Sequence, residues 1–227
     1  MNKDILNTAI LAASFLGLFG TAEILFHFAK IKAELTRKLV HFGTGILTLL
    51  FPILLSGHWP VLFLCASFAV ILVLSLRFNL LRSINAIDRE SVGSIAYPVS
   101  VFGCFLMYEF HDHTYIFFYM PILVLAICDP LAALCGKRWP IGKYKVGSSG
   151  KTFLGSFMFF VSCAILCGFL LYSSHHYETE MPKVLLAILI AVVATITEAV
   201  SGRGYDNITI PASVLLVMKL AWTYVLP

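Results

Sequence analysis

Tyr115-Ile-Phe-Phe-Tyr-Met-Pro-Ile-Leu-Val-Leu-Ala-Ile-Cys-Asp129-Pro-Leu-Ala-Ala-Leu-Cys135 holds one charged side chain and leads into the basic pair Lys137 and Arg138. A bilayer core of about 30 Å is crossed by roughly 20 predominantly apolar residues in a helix. This stretch meets that length, and its single carboxylate lies near its basic end. Outward from it, seven more runs of the same kind are predicted as spans: Ile5–Phe28, Leu39–Leu55, Trp59–Leu76, Ile95–Phe110, Phe153–Tyr172, Val184–Val200 and Ile208–Leu226. The expected fold is all-α, a polytopic transmembrane bundle of about eight spans in one domain. Composition agrees. Of 227 residues, 59% are hydrophobic and 12% charged, with mean hydropathy +0.91. A soluble domain needs more charge to cover its surface. The first run has no strong basic flank and no small-residue cleavage site after it, so it reads as a span and not a signal peptide.

The connections alternate in charge. Lys30, Lys32, Arg37 and Lys38 fall in the first; Arg77, Arg82 and Arg89 in the third. Lys137, Arg138, Lys143, Lys145 and Lys151 fall in the fifth, and Arg203 in the seventh. Of the 16 basic residues, only Lys3, Lys183 and Lys219 lie elsewhere. Basic loops stay in the cytoplasm, which predicts both termini outside and the four basic loops inside, in the cytoplasmic membrane. In the third connection, Leu80, Leu81, Ile84 and Ile87 recur at helical spacing, so Arg77–Ser94 is expected to form an interfacial amphipathic helix. The tips with His111, Asp112 and His113, and with His175, His176 and Glu178, read as solvated polar caps more readily than as metal sites. Cys65, Cys104, Cys128, Cys135, Cys163 and Cys167 all lie within or at the ends of apolar runs and read as small packing residues.

Ionisable groups inside a membrane are expensive and point to function. Asp129 and Glu198 lie near the basic ends of their spans. After Glu198 the chain turns through Ser201, Gly202, Arg203 and Gly204 to Asp206 and Asn207. These are hard oxygen donors of the kind Mg²⁺ takes, usually one or two carboxylates plus substrate phosphates. The fifth connection ends Gly142-Lys-Tyr-Lys-Val-Gly147-Ser-Ser-Gly150-Lys-Thr152. Its glycines let backbone amides approach an anion, its lysines supply charge, and Lys151 and Thr152 open a helix. A Walker-A loop is rejected: the first glycine of that pattern would fall on Lys145, and no strand is expected before it. A second basic cluster, Arg37-Lys38-Leu-Val-His41-Phe-Gly43-Thr-Gly45, enters the second span. Arg37 and His41 share a helix face, suited to phosphate binding or proton handling, and Gly45 permits close helix contact. Glu23 and His27 are expected to form a local polar pair.

Four blocks in order carry a resemblance. They are Arg37-Lys-Leu-Val-His41-Phe-Gly; Arg89-Glu-Ser-Val-Gly-Ser-Ile-Ala-Tyr97-Pro98; Asp129-Pro-Leu-Ala-Ala-Leu-Cys-Gly-Lys137-Arg with Gly150-Lys-Thr-Phe-Leu-Gly155-Ser; and Glu198-Ala followed by Asp206-Asn-Ile-Thr-Ile-Pro211. From about residue 37 onward the chain resembles the dolichol kinase and phytol kinase family of CTP-using polytopic lipid-alcohol kinases, which includes a diacylglycerol kinase. Two positions depart from the family pattern. Leu154 stands where Lys-Thr-x-Glu-Gly has its Glu, and Cys128 where Gly often precedes the Asp.

The resemblance implies CTP as donor and Mg²⁺ as cofactor. The expected roles are as follows. Asp129, Asp206 and Asn207 handle metal and phosphate, with Glu198 as metal ligand or base. Lys137, Lys151 and the backbone from Gly147 through Gly150 to Thr152 hold phosphates. Arg37, Lys38 and His41 contact the transferring group or orient the acceptor. The expected partners are a nucleotide and a membrane lipid alcohol, with no nucleic acid. Phytol, a polyprenol and diacylglycerol all stay open as acceptor. One rival is a cytidylyltransferase making a CDP-lipid; another, of a different class, is a small ion-coupled transporter.

Overall fold

The computed structural model of the chain describes residues 3–85, 92–147, 149–174 and 180–224, with the side chains of 180–182 and 224 left aside. Ile87, Asp88, Arg89, Ser148, His175, His176 and Glu178 lie outside the described residues.

The chain is a helical bundle. In order come α1 (Lys3–His27), α2 (Ala33–Thr48), the one-turn α3 (Phe51–Leu54), α4 (His58–Arg77), the one-turn α5 (Arg82–Asn85) and α6 (Gly93–Phe110). Then come α7 (Ile116–Leu123), a π-helical turn at Val124–Cys128, α8 (Asp129–Arg138), α9 (Phe153–Ser173), α10 (Glu180–Val200) and α11 (Asp206–Tyr224). Among the described residues six helical stretches are long and apolar enough to cross a bilayer: Lys3–His27, Ala33–Leu54, His58–Arg77, Ile116–Arg138, Phe153–Ser173 and Lys183–Val200. The long helices α6 and α11 are not among these six. Glu109 and several Ser, Gly and Tyr residues dilute α6; Asp206, Asn207 and Lys219 dilute α11.

The stretch Ile116–Arg138 is the axis of the molecule. Its most apolar window is 72% buried, against 22–39% for the other five. Phe117, Phe118, Met120, Ile122 and Leu125 are fully enclosed. The π turn is touched by α2, α9 and α11, so three helices close round the segment that carries Asp129. Outward-facing Leu16, Phe63, Val70, Ile165, Phe169 and Leu189 stay exposed, as lipid-facing positions should.

Two glycines allow close helix approach. A Cβ on Gly45 would strike Ala126 of the π turn, and one on Gly136 would sit 2.5 Å from Thr152 Oγ1. The first holds α2 against the axis; the second holds α8 against the start of α9.

The structure corrects several expectations. The fifth connection is not a plain loop. Lys143–Val146 (β1) and Ser149–Thr152 (β2) pair antiparallel, with Val146 opposite Ser149 and Lys143 opposite Thr152. Gly147 takes a φ of +56° at the turn, which glycine adopts without strain. The third connection is not one amphipathic helix. Asn79 and Leu81 have φ of +53° and +48°, which ends the helical path, and among the described residues Arg82–Asn85 re-forms one turn. That turn tucks under α1 and α2: the Ser83 amide donates to Glu23 Oε1 at 2.9 Å, and Thr36 Oγ1 to the Ser83 carbonyl at 2.6 Å. His111 is not a solvated cap. It is buried and stacks on Phe117 with ring centroids 3.8 Å apart. Helix α2 starts at Ala33, six residues before the expected span, so Arg37 and Lys38 lie inside it. Glu23 and His27 do pair, at 3.0 Å.

Candidate active site

Four helices and the hairpin bring charge to one cleft of about 470 Å³. Lys38 comes from α2, Asp129 and Lys137 from α8, Glu198 from the end of α10 and Asp206 from the start of α11. Lys143, Lys145, Gly150, Lys151 and Thr152 come from the hairpin.

The local chain chemistry explains these placements. Asp206 opens α11, where the positive end of the dipole favours a carboxylate, whereas Asp129 sits within the continuous helical stretch Ile116–Arg138, just past the π turn. Asp206 Oδ1 accepts the amide of Asn207 at 3.1 Å. Thr152 caps α9 by accepting the Gly155 amide at 3.0 Å. Its hydroxyl is therefore engaged with its own helix. The hairpin is tethered at Ser149, whose Oγ accepts the Arg203 amide at 3.2 Å.

The charges are paired across elements. Lys38 Nζ donates to Asp129 Oδ2 at 2.7 Å. Lys151 Nζ donates to Glu198 Oε1 at 2.5 Å and to the Glu198 main-chain carbonyl. Both carboxylates are buried, and a buried carboxylate is tolerable only when paired in this way. Lys137 meets Glu34 at 2.7 Å near the more open side. Lys143 and Lys145 make no ion pair among the described residues.

His41 sits behind this cleft. Its Nε2 is 4.0 Å from Asp129 Oδ2 and 3.0 Å from the Leu125 carbonyl. Pro130 has no N–H to give to the turn above it, so carbonyls of the π turn need other donors. Donation from Nε2 to Leu125 leaves Nδ1 as the acceptor of the ring. Tyr97 packs edge-on to the imidazole at 4.9 Å and donates to the His41 carbonyl at 3.3 Å.

The predicted site residues thus divide. Lys38, Asp129, Lys137, Gly150, Lys151, Thr152, Glu198 and Asp206 line the cleft. Arg37, His41 and Asn207 line a separate, apolar cavity on the other side of α2. Asn207 Nδ2 donates to the Gly93 carbonyl at 3.3 Å. Gly147 is at the hairpin tip and lines neither.

Sequence reading missed three cleft residues. Glu34 lies one helical turn before Lys38, a spacing that places both on one face. Ser156 donates to Glu198 Oε2 at 3.2 Å, and Tyr144 Oη lies 2.8 Å from Ser156 Oγ. Ser156 follows Thr152 at the same i, i+4 interval, a signal that was present. Tyr144 had none, since its position depends on the hairpin.

No group of three or more His, Cys, Asp or Glu is close enough to hold a metal ion among the described residues. Hard carboxylate oxygens from separate helices nonetheless suit a Mg²⁺ ion that takes one or two protein ligands and completes its shell with phosphates and water.

A polytopic helical protein with a cation-rich, carboxylate-lined cleft defines the class: an integral membrane protein with a polar candidate active site. No protein-family model matches the chain, and no solved structure matches it. The chain is 33% identical over 213 residues to the phytol kinase of Synechocystis sp. (strain ATCC 27184 / PCC 6803 / Kazusa), covering 93% of this chain and 89% of that protein. It belongs to the phytol kinase and dolichol kinase family.

Proposed function

We propose that this protein is a lipid-alcohol kinase that transfers the γ-phosphate of a nucleoside triphosphate, CTP by family resemblance, to the hydroxyl of a membrane alcohol. The observation that supports it most directly is the convergence of Asp129, Glu198 and Asp206 with Lys38, Lys137, Lys143, Lys145 and Lys151 on one cleft. Phosphoryl transfer asks a protein mainly for positioning and for charge stabilisation, and that is what such a cleft supplies.

The hydroxyl oxygen bonds to the γ-phosphorus, the bond to the β–γ bridging oxygen breaks, and the nucleoside diphosphate leaves. The hydroxyl proton passes to a carboxylate of the cleft. Lys143 and Lys145 meet the incoming phosphates first. Lys38 and Lys151 then turn from their carboxylates to the phosphate oxygens, which frees Asp129 and Glu198 as oxygen donors. One or two of the carboxylates Asp129, Glu198 and Asp206 would hold Mg²⁺, which when bound would neutralise charge on the phosphates. Basic connections stay in the cytoplasm, and Lys137, Lys143, Lys145 and Lys151 of the cleft belong to the most basic of them, so the cleft faces the cytoplasm in this reading.

The test is purified protein with γ-labelled CTP or ATP, Mg²⁺ and a panel of phytol, undecaprenol and diacylglycerol. Label on the lipid supports the kinase. Incorporation of an α-label into a CDP-lipid instead overturns it in favour of a cytidylyltransferase. Nucleotide-independent solute flux in proteoliposomes, without labelled lipid, overturns it in favour of a transporter.

A further inference from the structure

Two residues of the hairpin hold one carboxylate. Tyr144 on β1 and Lys151 on β2 stand directly opposite each other in the ladder, so their side chains leave the same face. Lys151 Nζ donates to Glu198 Oε1 at 2.5 Å and to the Glu198 main-chain carbonyl. Tyr144 serves the other oxygen, through Ser156. Its Oη lies 2.8 Å from Ser156 Oγ, and Ser156 Oγ donates to Glu198 Oε2 at 3.2 Å. A serine hydroxyl has one proton to give. Since that proton goes to the carboxylate, the phenol is the donor to Ser156. The chain therefore runs one way, from Tyr144 through Ser156 to Glu198. The first turn of α9 is built for this. Thr152 fixes it by accepting the Gly155 amide at 3.0 Å. Phe153 and Ser156 are three apart and share a face: Phe153 seats the Tyr144 ring, with centroids 5.3 Å apart, and Ser156 meets its hydroxyl.

We propose that Tyr144 is a positioning residue: acting through Ser156, it keeps the Glu198 carboxylate aimed into the cleft when Lys151 turns to phosphate. The proposal rests on the kinase reading above and gives the hairpin a part in it. In that reading Lys151 gives up Oε1 as the nucleotide enters. The last torsion of a glutamate is broad and two-fold, so a carboxylate held by Lys151 alone would then swing. Ser156 holds the second oxygen, and it carries no charge for a phosphate to draw away. The bond that Ser156 accepts from Tyr144 polarises its hydroxyl and strengthens the one it donates. The nucleotide thus exchanges one of two hairpin contacts on Glu198 and leaves the other in place. Tyr144, Ser156 and Glu198 all line the cleft, so the chain reaches the carboxylate where it faces substrate.

The experiment measures kcat and the KM for CTP, with phytol as acceptor, in wild type, Tyr144→Phe, Ser156→Ala, Ser156→Thr and the double variant Tyr144→Phe/Ser156→Ala. Ser156→Ala should lower kcat by at least about tenfold, the scale of one hydrogen bond to a charged group, and Tyr144→Phe by about threefold or more, the scale of a neutral one. The KM for CTP should stay at its wild-type value in both. Ser156→Thr keeps the hydroxyl and should recover most of kcat. Tyr144→Phe should add nothing in the Ser156→Ala background, because its effect passes through Ser156. A raised KM with kcat kept would make Tyr144 a nucleotide contact. Additive losses in kcat would take Ser156 out of the chain. A loss in Ser156→Thr as deep as in Ser156→Ala would remove the hydroxyl from the explanation. Each of these overturns the proposal and leaves the kinase standing.

A second arm needs no turnover. Thermal melts in detergent should show Tyr144→Phe lowering Tm by about 2–4 °C, the shift expected when a chain of this size loses one ordinary hydrogen bond. In the Ser156→Ala background the same substitution should leave Tm where it is. An equal fall in both backgrounds overturns the proposal, since Tyr144 then acts on something other than Ser156. If wild type phosphorylates no alcohol at all, the kinase reading fails, and the melts still decide whether Tyr144 reaches Glu198 through Ser156.

Discussion

Glu198→Gln tests whether the cleft works as a charged unit. The Glu198 carboxylate accepts from Lys151 at 2.5 Å and from Ser156 at 3.2 Å. It thereby ties α10 to β2 and to the first turn of α9. The Lys151 and Glu198 side chains are 12% and 9% exposed, so the pair is close to fully desolvated. At that separation and an effective dielectric of about 20, the gross attraction is roughly 6–7 kcal/mol, much of it offset by desolvation. Removing one partner of such a pair costs about 3–5 kcal/mol, because the other charge stays buried without it. Glutamine keeps an acceptor oxygen, which puts the loss near the lower end, about 3 kcal/mol. For a chain of this size that is a fall of about 6–12 °C in Tm, read from thermal melts in detergent. Lys151→Met should cost a similar amount. The double variant should be more stable than either single one, since it leaves no buried charge without its partner. Phosphoryl transfer should be lost in all three. Additive losses in the cycle would refute the pairing. Recovery of activity together with stability in the double variant would show that the pair only holds helices together.

Two further predictions concern the same cleft. Asp129→Asn and Asp206→Asn should each lower kcat by at least about 100-fold, the scale of losing one preorganised charge interaction; membrane insertion, followed by fractionation, should be unchanged, and near-full activity in both would remove these carboxylates from the site. Gly136→Ala places a Cβ 2.5 Å from Thr152 Oγ1 and should cost about 1–3 kcal/mol through overpacking of α8 on α9, seen as a lowered Tm, whereas Gly103→Ala, inside α6 with nothing within 4 Å of its new Cβ, should leave Tm the same or slightly raised.

Much of this arrangement was legible in the chain because lipid imposes simple rules. Long apolar runs mark helices, and rare charges within them mark function, so Asp129, Glu198 and Lys38 stood out before any geometry was known. What escaped was whatever depends on contacts between distant segments. The hairpin is built from Lys143-Tyr-Lys-Val146 and Ser149-Gly-Lys-Thr152, too short and too polar to read as strands, and its pairing rests on a two-residue turn. The π turn becomes explicable only once His41, from another helix, supplies a donor to Leu125. His111 looked like a solvated tip because its neighbours are polar, yet Phe117 and Trp222 close over it. The apolar cavity beyond α2 could not be read at all, since its lining is the same Phe, Leu and Val found throughout the bundle.

The position where the family pattern has a Glu also becomes intelligible. Leu154 is not among the residues lining the cleft, whereas Ser156, two positions on, reaches Glu198. The acidic charge of the cleft comes instead from four separate helices: Glu34 on α2, Asp129 on α8, Glu198 on α10 and Asp206 on α11. The first turn of α9 contributes a cap through Thr152 and a hydroxyl through Ser156, but no charge of its own. A carboxylate missing from that turn therefore removes nothing that the cleft described here relies on. Its ion pairs, Lys38 with Asp129 and Lys151 with Glu198, join α2 to α8 and β2 to α10. Exchange of those lysines onto phosphate would be felt by the helices that enclose the cleft, and on the α2 side by Arg37 and His41, which share that helix with Lys38.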